Sequence, residues 1–170
     1  SDADLRGLLG WVFEQRADYE QAWQEVAQSL RADPSPAWVW ETGRRVLDQL
    51  GRADALLQLL DDIEQQRAGD PWTWIARARL LPDPPAALHA AERATELAPR
   101  LVEAWTARFE HLLQQGRHAE VPPLLAALDW PQGLPPSLRL FASQARRAGG
   151  DKAGAVTELR ALIAEMPNHY

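Results

Sequence analysis

Five prolines sit where helices end along this 170-residue chain, at Asp33-Pro34, Asp70-Pro71, Ala98-Pro99, Trp130-Pro131 and Met166-Pro167. They are 37, 28, 32 and 36 residues apart. A recurring interval of roughly 33 residues is the mark of one supersecondary unit stacked on copies of itself, because each unit is too small to bury its own apolar face. Proline lacks the backbone N–H and clashes with the preceding turn, so each of these positions closes a helix.

Every interval has the same internal order: an apolar-periodic segment of about a dozen residues, a short break of Gly or small polar residues, and an Ala/Leu-rich segment. The first interval places Leu8, Leu9, Val12 and Phe13 on one helical stripe, breaks at Ala17-Asp18, and resumes with Tyr19, Ala22, Trp23, Val26 and Leu30. Both stripes are expected to face a shared seam. Residues 38–50 precede Gly51, and 53–66 follow with Leu56, Leu57, Leu60 and Ile63 at helical spacing. In the last interval residues 138–148 lead to Gly149-Gly150-Asp151, and 152–165 follow with Ala155, Leu159, Leu162 and Ile163. The middle of the chain departs from this order. Residues 72–81 run into Pro82-Asp83-Pro84-Pro85, which cannot continue a helix. Residues 101–115 reach Gly116 before a helix with Pro122-Pro123 near its start, where proline is tolerated. The expected fold is all-α, an α-α superhelix or solenoid of about five antiparallel helix pairs, the middle one abbreviated. It is read as a single repeat domain over 1–170, with units near 3–34, 35–71, 72–99, 100–131 and 132–167.

Composition narrows the function. With 46% apolar and 25% charged residues the chain is that of a folded, water-soluble protein. The absence of cysteine excludes a disulfide framework, thiolate zinc and a cysteine nucleophile. A net charge of -6 repels phosphate backbones, so nucleic acid is not an expected partner. The apolar runs are too short to span a bilayer, no signal-peptide pattern is present, and membrane insertion is not expected. The compartment stays open, with the cytoplasm favoured. Ser1 opens the chain and its one methionine is Met166, so a segment of a larger protein is the favoured reading.

The first interval resembles the tetratricopeptide repeat, whose pattern asks for W-x2-L-G-x2-Y, then A-x3-F, then a closing proline. Leu9-Gly10, Phe13, Ala22, Val26 and Pro34 match it, with Arg6 in place of the leading Trp. Trp74, Ala78, Ala87, Ala91, Ala94 and Pro99 carry the likeness in the third interval, Trp105 and Gly116 in the fourth, and Gly150, Ala155, Leu159 and Pro167 in the last. Arg44 and Phe109 stand where the family prefers Gly, and Arg108 where it prefers Leu. The spacing Pro99, Trp105, Arg108 also resembles the P-x5-W-x2-R repeat of protein prenyltransferase α subunits, and Pro167-Asn168-His169-Tyr170 could open another such unit. The tetratricopeptide likeness implies a scaffold or adaptor that holds a peptide or partner domain along its concave face. The other likeness implies a non-catalytic helical region of an enzyme, such as a prenyltransferase-α-like subunit or a domain appended to a hydrolase. Self-association is a third reading.

Eight tryptophans are many for this length, and Trp38, Trp40, Trp72, Trp74 and Trp105 open first helices. Trp40, Trp74 and Trp105 fit the core. Trp38 and Trp72 stand two residues earlier, turned about 200° away, and are candidates for exposed contact. Likeness to stacked hairpins implies a groove lined by first helices. Helical phase puts Trp11, Gln15, Trp38, Glu41, Arg45, Trp72, Arg79, Thr106, Glu110, Gln144 and Arg147 on it. Arg45 and Arg79 would donate to carboxylates or backbone carbonyls beside the aromatic surfaces. The alternative is a solvated face with incidental ion pairs. No catalytic, metal or cofactor site is expected: His89, His111 and His118 form no ligand pattern, and Asp61, Asp62 and Glu64 read as a solvated face opposite a Leu stripe.

Overall fold

The computed structural model describes residues 1–165. Among these residues it is all-α, with ten α-helices, one short 3-10 turn and no strand. The chain divides into two compact units, Ser1–Leu80 and Leu81–Tyr170.

The first unit holds α1 (Asp2–Gln15), α2 (Tyr19–Ala32), α3 (Ala37–Leu50), α4 (Asp54–Gln66) and α5 (Pro71–Leu80). Ser1 and Asp4 close a reciprocal capping box on α1. Gly51 ends α3 at φ 65°, the left-handed conformation a helix C-terminus favours. The core gathers Val26, Leu30, Val39, Trp40, Leu47 and Leu60. Pro34 starts the bend into α3, and its carbonyl accepts from the buried Trp40 Nε1 at 2.8 Å, so the joint between two hairpins is fixed by a tryptophan.

The second unit holds α6 (Pro84–Leu97), α7 (Val102–Gln114), a 3-10 turn (His118–Glu120) running into α8 (Val121–Ala126), α9 (Pro136–Ala148) and α10 (Lys152–Glu165). Pro82-Asp83-Pro84-Pro85 is a helix start: Asp83 accepts from the Ala86 N–H and the next two prolines fill the first turn, where their missing N–H groups are not needed. The joint seen at Pro34 recurs here, with Trp105 Nε1 donating to the Pro99 carbonyl at 2.9 Å. Trp105, Phe109 and Phe141 stack in sequence, with ring centroids 5.5 and 5.3 Å apart.

Three expectations need correcting. Leu8, Leu9 and Val12 do not face the α1/α2 seam; all three are exposed, and α1 buries Ala3, Gly7 and Gly10 instead. The helices approach too closely for larger residues. A Cβ at Gly10 would stand 2.6 Å from Val26 Cγ2, so the large side chains turn to the opposite side. Leu159 and Ile163 of α10 are likewise exposed, leaving Ala155 and Leu162 buried. The small-residue position of the second hairpin is Gly43, packed among Val26, Leu56 and Trp23, one residue before Arg44. The expected short helix of the third interval is seen in α5, with ten residues against thirteen or fourteen in α1, α3, α7 and α9, and the fourth interval is shortened as well, α8 having only six. Met166-Pro167 and the tail through Tyr170 lie outside the described residues.

Candidate functional site

In the first unit α1 and α3 carry Trp11, Gln15, Trp38, Glu41 and Arg45 of the proposed set. Trp11 is 45% and Trp38 42% exposed. The Trp38 ring lies over the backbone of α1, where a Cβ on Gly7 would come within 2.9 Å of it. One turn on, Thr42 donates to the Trp38 carbonyl at 3.0 Å and accepts from Arg45 Nη2 at 3.2 Å. Arg45 also grips Glu14 with two hydrogen bonds of 2.7 and 2.8 Å. Hydrogen bonding to Glu14 holds the guanidinium above its ordinary pKa, so this cation is firmly committed within the fold. Glu14, Gln15, Tyr19, Arg45, Asp48 and Gln49 line a polar cleft of about 340 Å³. Glu41 is exposed and paired with Arg44 at 3.1 Å.

At α5 the geometry differs. Trp72 is half-buried, and its backbone N–H donates to Asp70 Oδ1 at 2.9 Å. Trp74 is half-buried too, with the Arg77 guanidinium 5.8 Å from its ring centroid. Arg77 reaches back to Asp61 at 2.6 Å and to Glu64, so that acidic pair clamps α4 to α5. Arg79 is exposed and has no ion-pair partner among the described residues.

In the second unit Glu110 on α7 and Gln144 and Arg147 on α9 are exposed, while Thr106 is half-buried. Arg147 has no ion-pair partner among the described residues. Arg108, half-buried, donates to Thr95 Oγ1 at 3.2 Å, sits 5.4 Å from the Trp105 ring centroid, and leaves its buried Nε without a partner. Sequence reasoning did not reach a second cleft of about 390 Å³, lined by Trp105, Leu124, Leu128 and the Pro99-Arg100 bend, with Arg100 and Asp129 paired at 3.5 Å across its rim. The recurring Pro-x5-Trp spacing is the signal that leads to it. Among the described residues no group of three or more His, Asp or Glu could hold a metal ion, and no helix is long and apolar enough to cross a membrane.

The sequence matches no family model and no curated protein. Solved structures do match. MamA protein is 14% identical over 96% of this chain and 91% of its own, with a TM-score of 0.59. TTC0263, a thermophilic TPR protein of Thermus thermophilus, is 16% identical over 98% and 93%, with a TM-score of 0.55. PilF of Pseudomonas aeruginosa is 16% identical over 99% and 78%, also at 0.55. The fold is tetratricopeptide-like. At these identities the likeness is one of fold alone.

Proposed function

We propose that the chain is one non-catalytic interaction module that holds a peptide or partner domain against its first helices. The observation that carries this reading is the pair of exposed indole rings, Trp11 and Trp38, on neighbouring first helices of one unit. A soluble protein gains nothing in stability from leaving such area in water, whereas aromatic side chains are enriched at the centres of interfaces, where each can contribute about 2 kcal/mol or more. The further proposed contacts are Glu41, Trp72 and Arg79 on the first unit and Glu110, Gln144 and Arg147 on the second, with Arg79 and Arg147, which have no ion-pair partner among the described residues, as donors to partner carboxylates or carbonyls. Arg45 takes a supporting part, since Glu14 already occupies it.

The test is affinity capture with the wild-type chain and with a Trp11→Ala, Trp38→Ala double variant, followed by titration of the captured partner against both. Both rings are substantially exposed, so circular dichroism should show an unchanged fold. Weakening of binding by about tenfold or more supports the reading. Equal affinity for the double variant, and for Arg79→Glu with Arg147→Glu, overturns it.

A further inference from the structure

The solvent side of α1 is apolar along the helix. Leu5, Leu8, Leu9 and Val12 are 63, 51, 46 and 42% exposed. At about 100° per residue they form one stripe, opposite the buried Ala3, Gly7 and Gly10. With Trp11 at its flank, this leaves roughly 400–500 Å² of contiguous apolar surface on one helix, the scale at which an exposed patch marks an interface.

The spacing of the stripe identifies what fits it. Positions 5, 8, 9 and 12 read the same in both directions. A two-fold axis passing between Leu8 and Leu9 therefore sets Leu5 against Val12 of a second copy and brings the two Leu8 together on one flank and the two Leu9 on the other, and a closed dimer requires such self-complementarity. Charge follows the same symmetry. Asp2 is exposed at one end of the stripe, and Arg16 at the other has no ion-pair partner among the described residues. Both lie on the same flank, so the antiparallel arrangement brings each Arg16 to the other copy's Asp2. The exposed Val156, Leu159 and Ile163 of α10 lack this property, because reversing that helix sets Leu159 against Arg160.

We infer that α1 is a homodimerisation surface, on which two copies pair through antiparallel α1 helices. The apolar area covered over both copies, about 900 Å² by the same estimate, lies at the low end for specific interfaces and fits a reversible dimer. The absence of cysteine from the chain makes the geometry directly testable. Sedimentation equilibrium should show a concentration-dependent monomer–dimer mass that stops at two. Leu8→Glu should return it to monomer with unchanged circular dichroism, while Ile163→Glu should leave the dimer intact. Under mild oxidation Leu8→Cys should cross-link to itself efficiently. Leu5→Cys should not, because its two copies would be about 10 Å apart along the helices, and the Leu5→Cys, Val12→Cys pair should. A monomer at the highest soluble concentration, mass growth without a plateau, or efficient cross-linking of Leu5→Cys alone each overturns the proposal. The partner-binding reading survives any of these results, since its test is the affinity of a different protein.

Discussion

Gly10→Ala is the sharpest probe of how this fold is held together. On an isolated helix the change would stabilise by about 0.8–1.0 kcal/mol through helix propensity alone. Here the added methyl would meet Val26 Cγ2 at 2.6 Å, the Ala22 carbonyl oxygen at 3.1 Å and the Val26 nitrogen at 3.2 Å. Two of those three atoms are α2 backbone, so relief requires the helices to move apart, and overpacking of this kind costs about 1–3 kcal/mol. A 2.6 Å approach backed by two backbone atoms puts the cost in the upper half of that range, so after the propensity gain the expected net effect is a loss of about 1–2 kcal/mol, read as a lower urea midpoint by far-UV circular dichroism at unchanged slope. Gly43→Ala is the control. Its methyl would meet only side-chain atoms, at 3.1 to 3.5 Å, and should fall within about 1 kcal/mol of neutral. In a Val26→Ala background the shortest contact disappears, and the penalty at position 10 should shrink by about 1 kcal/mol. A Gly10→Ala variant as stable as the wild type, or more so, would refute the close α1/α2 approach and with it the reason Leu8, Leu9 and Val12 face outward.

Trp40→Phe and Trp105→Phe should each cost about 2–3 kcal/mol, combining a lost hydrogen bond to a proline carbonyl with the volume removed from a buried site. Trp11→Phe, at an exposed ring, should cost almost nothing in the same denaturation assay. Stability should also fall in acid. Arg117 holds the Glu120 carboxyl below its ordinary pKa and Arg139 does the same for Glu165, while the Gly154 N–H and then Arg146 lower Asp151. Folded values below unfolded ones mean stability that is fully present above the ordinary carboxylate range, near about pH 4, and is lost as pH falls through the lowered values. Asp151→Asn keeps an acceptor for Gly154 without a titrating charge, so a plot of urea midpoint against pH should have a shallower acid limb. An unchanged limb would show that Asp151 contributes nothing to it.

The proline intervals made helix order and most boundaries legible, because Pro and Gly act locally on the backbone. The spans 38–50, 53–66 and 101–115 fall within a residue of α3, α4 and α7 at both ends, and the span opening at 152 meets the start of α10. Which face each helix buries was less legible. Periodicity finds a large apolar stripe and assigns it to the core, yet in α1 the closest approach belongs to glycines, and the large residues lie on the other side. Exposure was read correctly for Trp11 and Trp38, while Trp72 proved half-buried at a helix N-terminus, where Asp70 takes its backbone N–H. The clamp formed by Arg77 with Asp61 and Glu64 was invisible to the sequence, since its members come from two helices and only packing brings them together.

The same division explains why a fold can be shared at 14–16% identity while its partner cannot be transferred. Gly10, Ala22, Gly43 and the Pro34/Trp40 and Pro99/Trp105 joints either sit where helices touch or satisfy a backbone group, so their chemistry is dictated by the architecture. Residues on the open sides of first helices meet no such demand. Within that set the structure separates two kinds of charge. Arg45 gains its partner from Glu14 on folding, and replacing it would disturb α1 and α3 as much as any ligand. Arg79 and Arg147 have no ion pair to lose among the described residues. Removing their charge should therefore change binding without changing stability, while Arg45→Ala should lower both. That contrast distinguishes a recognition surface from a face of incidental ion pairs.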